Sequence, residues 1–319
     1  MGLSVSLSYR TKSVFTTTCI RTKFFKGGSL IAPDVILTAA HCAGGQYKAV
    51  IGRYDLGMTD GDAVPVKREL LHPRYNPSTT NNDFNLVFLT RQTTANVHIV
   101  ELNKEASIPS HRDPVEVMGW GDTDPSEWSQ RLADKLHAVE VNVVSNEQCS
   151  QAKGYVGWFN YESYEGAITT SMLCAKDSNQ DSCQGDSGGP LVIKGNDSSG
   201  AKDVQVGVVS WGVGCADSSF PGVYSRVSSA YNWIRSEVCA NSIKPPGSFQ
   251  CGNIENEASS PPPPPPAPLP AVTVPIDVVT PPQTVETAPP PAPIPSIPEE
   301  TSSSIPDSWS GIWCFFFGC

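Results

Sequence analysis

Three short stretches of this sequence carry residues that together can hydrolyse an amide. At neutral pH that reaction needs an activated nucleophile, a base to take its proton, and hydrogen-bond donors for the oxyanion. "LTAAHC" supplies His41 beside a cysteine, behind small residues that let the end of a strand approach a cleft. "NNDFNLVFL" supplies Asp83 at the mouth of an apolar strand, where a buried carboxylate can grip an imidazole. "GDSGGP" supplies Ser187 among glycines, which permit a tight turn with free N–H groups. The order His, Asp, Ser is one in which such triads occur along a chain. His72, His98, His111 and His137 lack any comparable setting and read as structural residues. The stretch "DSCQGDSGGP" also sets Asp181 and Asp186 close to Ser187. Negative charge disfavours an alkoxide, so each aspartate must have a task of its own.

The elements that position these residues read as β-structure. From about residue 27 to 228 the chain is a series of short apolar or alternating runs broken by turn residues, among them "GGSLIA", "YKAVIG", "NLVFLT", "LHAVEVNVV", "VQVGVVSWG" and "GVYSRV". Many short strands at such spacing point to an all-β barrel or sandwich. The exception is "SSAYNWIRSEVCA", where Tyr231, Ile234 and Val238 share one face of a short amphipathic helix that closes the domain. After Lys244 the character changes: 20 of the 29 prolines lie between Pro245 and Pro306. Such a segment cannot build a packed core and favours extended polyproline II. The expected organisation is a catalytic domain over 1–244, a disordered Pro-rich stalk over 245–308, and a short aromatic and cysteine-bearing terminus over 309–319.

Charge follows the same division. The net charge is -10, but the seven acids beyond Lys244 face no base, which leaves 25 acids against 22 bases in residues 1–244. That near balance argues against a nucleic-acid surface. No run approaches the roughly 18 apolar residues of a membrane span. Ten cysteines fit an oxidising compartment, and with no Cys-x-x-Cys pair and no paired-histidine spacing they do not suggest zinc.

The contexts of His41, Asp83 and Ser187 resemble the trypsin branch of the chymotrypsin-like serine proteases. "HPRYN", "MGWG", "SWGVGC" and "PGVYSRV" add matches in the family's order, and the similarity runs from about Gly27 to Ala240. The resemblance implies two antiparallel six-stranded β-barrels and a C-terminal helix, followed here by the disordered tail. It places the active site in the cleft, with His41 and Asp83 from the first barrel and Ser187 from the second. Ser187 would attack the scissile carbonyl, His41 would carry the proton, and Asp83 would fix the histidine tautomer. Backbone N–H groups of Gly185 and Ser187 would hold the oxyanion. Asp181 would lie on the floor of the specificity pocket and select Arg or Lys, between walls made by Gly212 and Gly222. Tyr164, Ser182 and Ser210 belong to the same set. Asp186 would pair with a new N-terminal amine made by activation cleavage. The implied protein is a secreted endopeptidase without cofactor or metal, acting on polypeptides with basic residues and met by protein protease inhibitors. The alternative is a non-catalytic homologue that serves as a binding or decoy protein.

The resemblance also implies disulfides Cys149–Cys174 and Cys183–Cys215. Lys26 stands where the family usually has the cysteine that pairs with Cys42, so Cys19 becomes the nearest candidate partner for Cys42. Cys239, Cys251, Cys314 and Cys319 allow three pairings, of which we favour Cys239–Cys251 and Cys314–Cys319. No Ile/Val-Val-Gly-Gly precedes Gly27, so the sequence is expected to start just after the activation site. Asn85 replaces a small residue and must find hydrogen bonds if buried. Arg53 stands where calcium-binding relatives carry an acid, which argues against a calcium site. Asn196 begins a glycosylation sequon, "NDS".

Overall fold

The structure is a computed structural model that describes residues 5–9, 25–122, 132–156, 160–177, 186–196, 200–214 and 219–253. Its first sheet joins β1 (Val5–Tyr9), β2 (Phe25–Lys26), β3 (Ser29–Ala32), β4 (Val35–Thr38), β5 (Tyr47–Ile51), β6 (Asp62–Leu71) and β7 (Asn85–Leu89), in the order β2-β1-β5-β6-β7-β4-β3. The second contains β8 (Glu101–Leu102), β9 (Pro114–Gly119) and β10 (His137–Val144). A separate hairpin, β11 (Lys153–Val156) with β12 (Asn160–Ser163), follows. The second sheet is completed by β13 (Met172–Lys176), β14 (Pro190–Ile193), β15 (Val204–Trp211) and β16 (Gly222–Arg226), in the order β14-β9-β10-β13-β16-β15-β8. Pairing of β14 with β15 closes six of these strands into a barrel, with β8 added outside it in the one parallel pairing described. The fold is therefore all-β as expected. Among the described residues, though, only the second unit closes with six strands, and the first is an open half-barrel of seven.

The unbroken apolar runs of β4 and β7 have a structural reason. Alternate strand residues point to opposite faces. Ile36, Val87 and Leu89 pack inside the first barrel, with Leu30, Ile51 and Val64. Val35, Leu37, Leu86 and Phe88 face the other way, into a core shared with the closing helix. Both faces are covered, so no polar alternation survives. In β10 only one face is covered. Val141 and Val143 enter the second barrel's core, with Val139 partly buried beside them.

The helix α1 (Asn146–Cys149) is capped by the Ser145 hydroxyl, which accepts the Gln148 N–H at 3.2 Å, and a disulfide ties Cys149 to Cys174 on β13. The closing helix α2 (Val227–Asn241) buries Val227, Ala230, Ile234 and Val238 against the shared core. Tyr231 is only partly buried and meets the Phe249 ring edge-on at 6.0 Å. Packed structure runs past Lys244 as far as Asn253. Buried Asp34 accepts the Ser242 hydroxyl at 2.6 Å and the Ile243 N–H at 2.8 Å. Arg235 donates to the Phe249 carbonyl at 2.6 Å, and Cys239 is bonded to Cys251. The remainder of the Pro-rich segment, with Cys314 and Cys319, lies outside the described residues.

Phe249 anchors this clasp at 3% exposure. Phe249→Ala is expected to cost about 3–5 kcal/mol of unfolding free energy, as buried aromatic truncations do, read from a denaturant midpoint at unchanged slope.

Candidate active site

Adjacent strands bring His41 and Asp83 together. The register pairs Thr38, the last residue of β4, with Asn85, the first of β7. His41 follows β4 on a short 3-10 turn, Ala40–Cys42, and Asp83 precedes β7 by two residues. The His41 ring Nδ1 donates to Asp83 Oδ2 at 2.7 Å, and the His41 backbone N–H donates to Oδ1 at 2.9 Å. A carboxylate only accepts, which fixes the proton on Nδ1. The Asp83 side chain is fully buried, while the imidazole keeps 28% exposure. Two further bonds to Asp83 come from the second barrel: Ser210 donates to Oδ2 at 2.6 Å, and Ser225 donates to the backbone carbonyl at 3.0 Å. Cys42 is buried, and its sulfur lies 3.6 Å from His41 Nε2. Burial works against protonation of His41. The hydrogen bonds with Asp83 and Cys42 outweigh it, and the imidazole is raised above its ordinary value.

Ser187 lies on a turn that leads into β14. Gly189 N–H bonds back to the Asp186 carbonyl at 2.8 Å, and Gly188 N–H bonds to Val209 on β15 at 2.9 Å. The turn also docks on the first barrel, because Gly27 N–H donates to the Ser187 carbonyl at 2.8 Å. Gly188 has a φ of 81°, and a side chain there would run into Thr38 and the Gly27 carbonyl. This close approach is what the glycines of "GDSGGP" permit. It sets the Ser187 turn against Thr38, the end of the strand that leads to His41.

Asp186 rests on backbone of the second barrel. Its Oδ1 accepts the Gly121 N–H at 2.7 Å, and a side chain on either Gly119 or Gly121 would collide with its carboxylate. The "MGWG" stretch is thus a backbone cradle for this acid. The amine that the resemblance assigns to Asp186 is not among the described residues.

Of the pocket residues expected from sequence, the structure describes four. Gly212 and Gly222 face each other, so that a Cβ on Gly212 would meet the Gly222 Cα at 3.8 Å. Tyr164, 1% exposed, fastens the two segments that carry them: its hydroxyl donates to the Pro221 carbonyl at 3.1 Å and accepts the Val213 N–H at 3.0 Å. Ser210 directs its hydroxyl to Asp83, a bond that nothing local in the sequence foretells. Asp181, Ser182, Gly185, the bridge of Cys183 with Cys215, and Cys19 lie outside the described residues. Asn196 is exposed between β14 and β15.

Other residues singled out in the sequence have local partners, in part or in full. Asn85 is fully buried and donates to Glu69 Oε1 at 3.1 Å, while its Oδ1 has no partner among the described residues. The same Glu69 accepts Tyr47 O–H at 2.6 Å and Gly44 N–H at 2.9 Å, so it ties the loop after His41 to β7. Lys26 donates to the His41 carbonyl at 3.2 Å. His72 is buried against Phe84 and Trp233, and burial lowers its pKa. Sequence reasoning missed Ser225 and Asn81, although both lie inside stretches that carry the resemblance, "PGVYSRV" and "NNDF".

A domain model described as Trypsin matches residues 3–234 of the chain. Trypsin I-P1 of Gallus gallus is 34% identical over 221 residues, covering 68% of this chain and 81% of the relative. Trypsin-1 of Gadus morhua is 36% identical over 217 residues, with 66% and 80% covered, and Serine protease 1 of Homo sapiens is 32% identical over 222, with 68% and 81% covered. The chain belongs to the trypsin family of serine endopeptidases. Among the described residues no helix is long and apolar enough to cross a membrane.

The His41–Asp83 bond makes a prediction independent of substrate. Asp83→Asn removes the negative charge that favours the imidazolium, so the titration midpoint of the His41 ring should fall. A histidine-ring NMR titration of wild type and variant checks it, and an unmoved midpoint would assign the raised value to Cys42 alone.

Proposed function

We propose that this serine protease cleaves peptide bonds on the carboxyl side of Arg or Lys and does so as a secreted enzyme. The observation that carries the catalytic part is the fully buried Asp83 carboxylate, bonded at once to the ring and the backbone of His41. In this reading Ser187 attacks the scissile carbonyl as neutral His41 Nε2 accepts its proton. The resulting imidazolium is stabilised by Asp83, which keeps the Nδ1 proton in place. His41 then donates its proton to the leaving amine, and a water repeats the sequence on the acyl-enzyme. N–H groups of Gly185 and Ser187 hold the oxyanion. Asp186, seated on Gly121 next to Ser187, shapes that turn and pairs with the amine made by activation.

The basic-residue preference rests on Asp181 at the pocket floor, by its place six residues before Ser187. A carboxylate forms charge-assisted bonds with guanidinium or ammonium groups. Support comes from Gly212 and Gly222, which face each other with no side chain on either to narrow the space between them. The chain's similarity to trypsins fits that preference, and the proposed partners are polypeptides with exposed basic residues and protein inhibitors that occupy the same cleft. The cysteine-rich sequence and the Cys149–Cys174 and Cys239–Cys251 bonds support export to an oxidising compartment.

The test is hydrolysis of paired peptide amides by the natural, processed protein. Arg and Lys substrates should be cleaved far faster than a norleucine analogue, and Ser187→Ala should lower kcat by about 10⁶-fold. Asp181→Asn should erase the preference for Arg over norleucine. A Ser187-dependent preference for aromatic residues would overturn the assignment of Asp181, and an absence of Ser187-dependent cleavage would favour the binding-homologue reading.

A further inference from the structure

We infer that Asn81 is a positioning residue that sets Asp83 for reaction by clasping the loop before it to the second barrel. The inference rests on the reading of Ser187, His41 and Asp83 as the reacting set. Asn81 Oδ1 accepts the Thr169 hydroxyl at 2.9 Å and also the Ser171 hydroxyl, and those two hydroxyls lie 3.0 Å apart. Thr169 and Ser171 belong to the second barrel, at the entry to β13. Their turn is itself fastened. Asn146 donates to the carbonyls of Thr169 and Met172 at 2.8 and 3.0 Å, and the Arg226 N–H bonds to the Ser171 carbonyl at 2.8 Å. A rigid acceptor-and-donor platform on one barrel therefore holds a single amide oxygen from the other.

The backbone around Asn81 shows that the clasp holds a conformation the chain would not choose. Thr80 and Asn82 both have φ of 54°, in the left-handed region. For the β-branched Thr80 this is costly and persists only where the surroundings impose it. The loop is closed on itself by Asn76 N–H to the Asn81 carbonyl at 3.0 Å and by the Asn82 side chain to the Arg74 carbonyl at 3.1 Å. Phe84 N–H then bonds to the Asn82 carbonyl at 2.9 Å, so Asp83 sits at the centre of a tight turn that begins at Asn82, directly after Asn81. Ser225 and Ser210 fix the carbonyl and the carboxylate of Asp83 from the same barrel. Asn81 supplies the third point, and three points define an orientation.

Asn81 touches neither His41 nor substrate in this arrangement, so its effect should fall on orientation and not on affinity. Asn81→Ala is expected to lower kcat by about ten- to hundredfold, with KM changed less than about twofold. Asn81→Asp keeps the acceptor oxygen and should restore kcat. The pair Thr169→Val with Ser171→Ala should reproduce the loss and add nothing when combined with Asn81→Ala. Because the Asp83 bond raises His41, the acid limb of kcat/KM should move to lower pH in Asn81→Ala. The titratable groups facing His41 are Asp83 and Cys42, with Tyr75 close enough to both to be raised alongside its burial. An unchanged kcat, additive losses, or an Asn81→Asp variant as impaired as Asn81→Ala would overturn the inference. If wild type fails to cleave after Arg or Lys, the substrate reading falls, and the NMR signal of the His41 Nδ1 proton decides about Asn81. It should shift in Asn81→Ala and return in Asn81→Asp, whereas a signal identical in all three overturns the inference.

Discussion

A single buried carboxylate ties the two barrels of this protein together. Taking a charge out of water is expensive unless hydrogen bonds replace the water. For Asp83 they come from both sides: the ring and backbone N–H of His41 from the first barrel, and the Ser210 hydroxyl from the second. The same need that fixes the acid thus fixes the cleft. A movement of one barrel against the other would strand a buried charge, and this penalty keeps the histidine aligned in the absence of substrate.

The opposite connection is made with backbone and not with charge. The Ser187 turn belongs to the second barrel, yet it docks on Gly27 of the first through its carbonyl, and Gly188 fits against Thr38 because it has no side chain. Asp186 completes the arrangement by resting on the Gly119–Gly121 backbone. One face of the Ser187 turn is therefore set by Thr38, where β4 ends, and its Asp186 side by Gly119, where β9 ends, and by Gly121. The segments that carry Ser187 and Asp83 thus take supports from both barrels.

Much of this was legible in the sequence where local chemistry sufficed. His41, Asp83 and Ser187 stand in contexts whose residue types already suit the task, and the alternating valines of β10 gave its buried face. Gly119 and Gly121 stood out as a motif, but their purpose needed the carboxylate of Asp186, far along the chain. Long-range polar pairs were not legible. Nothing near Asn81 names Thr169 as its partner, 88 residues on, and the bond of Ser210 to Asp83 spans 127 residues. The end of the packed domain was misplaced at Lys244 for a similar reason, since composition changes there while Phe249 is buried by a helix that precedes it.

The backbone N–H of His41 offers the most direct test of the central claim, because its bond runs to the Asp83 carboxylate. Its hydrogen exchange can be compared in wild type and in a Ser210→Ala/Ser225→Ala variant. If hydroxyls of the second barrel hold Asp83 in place, the variant should lose protection at His41 while Val87 and Leu173, in the two barrel cores, keep theirs. Equal protection of His41 in both proteins would show that the first barrel holds the carboxylate alone, and would contradict the claim that Asp83 ties the two barrels together.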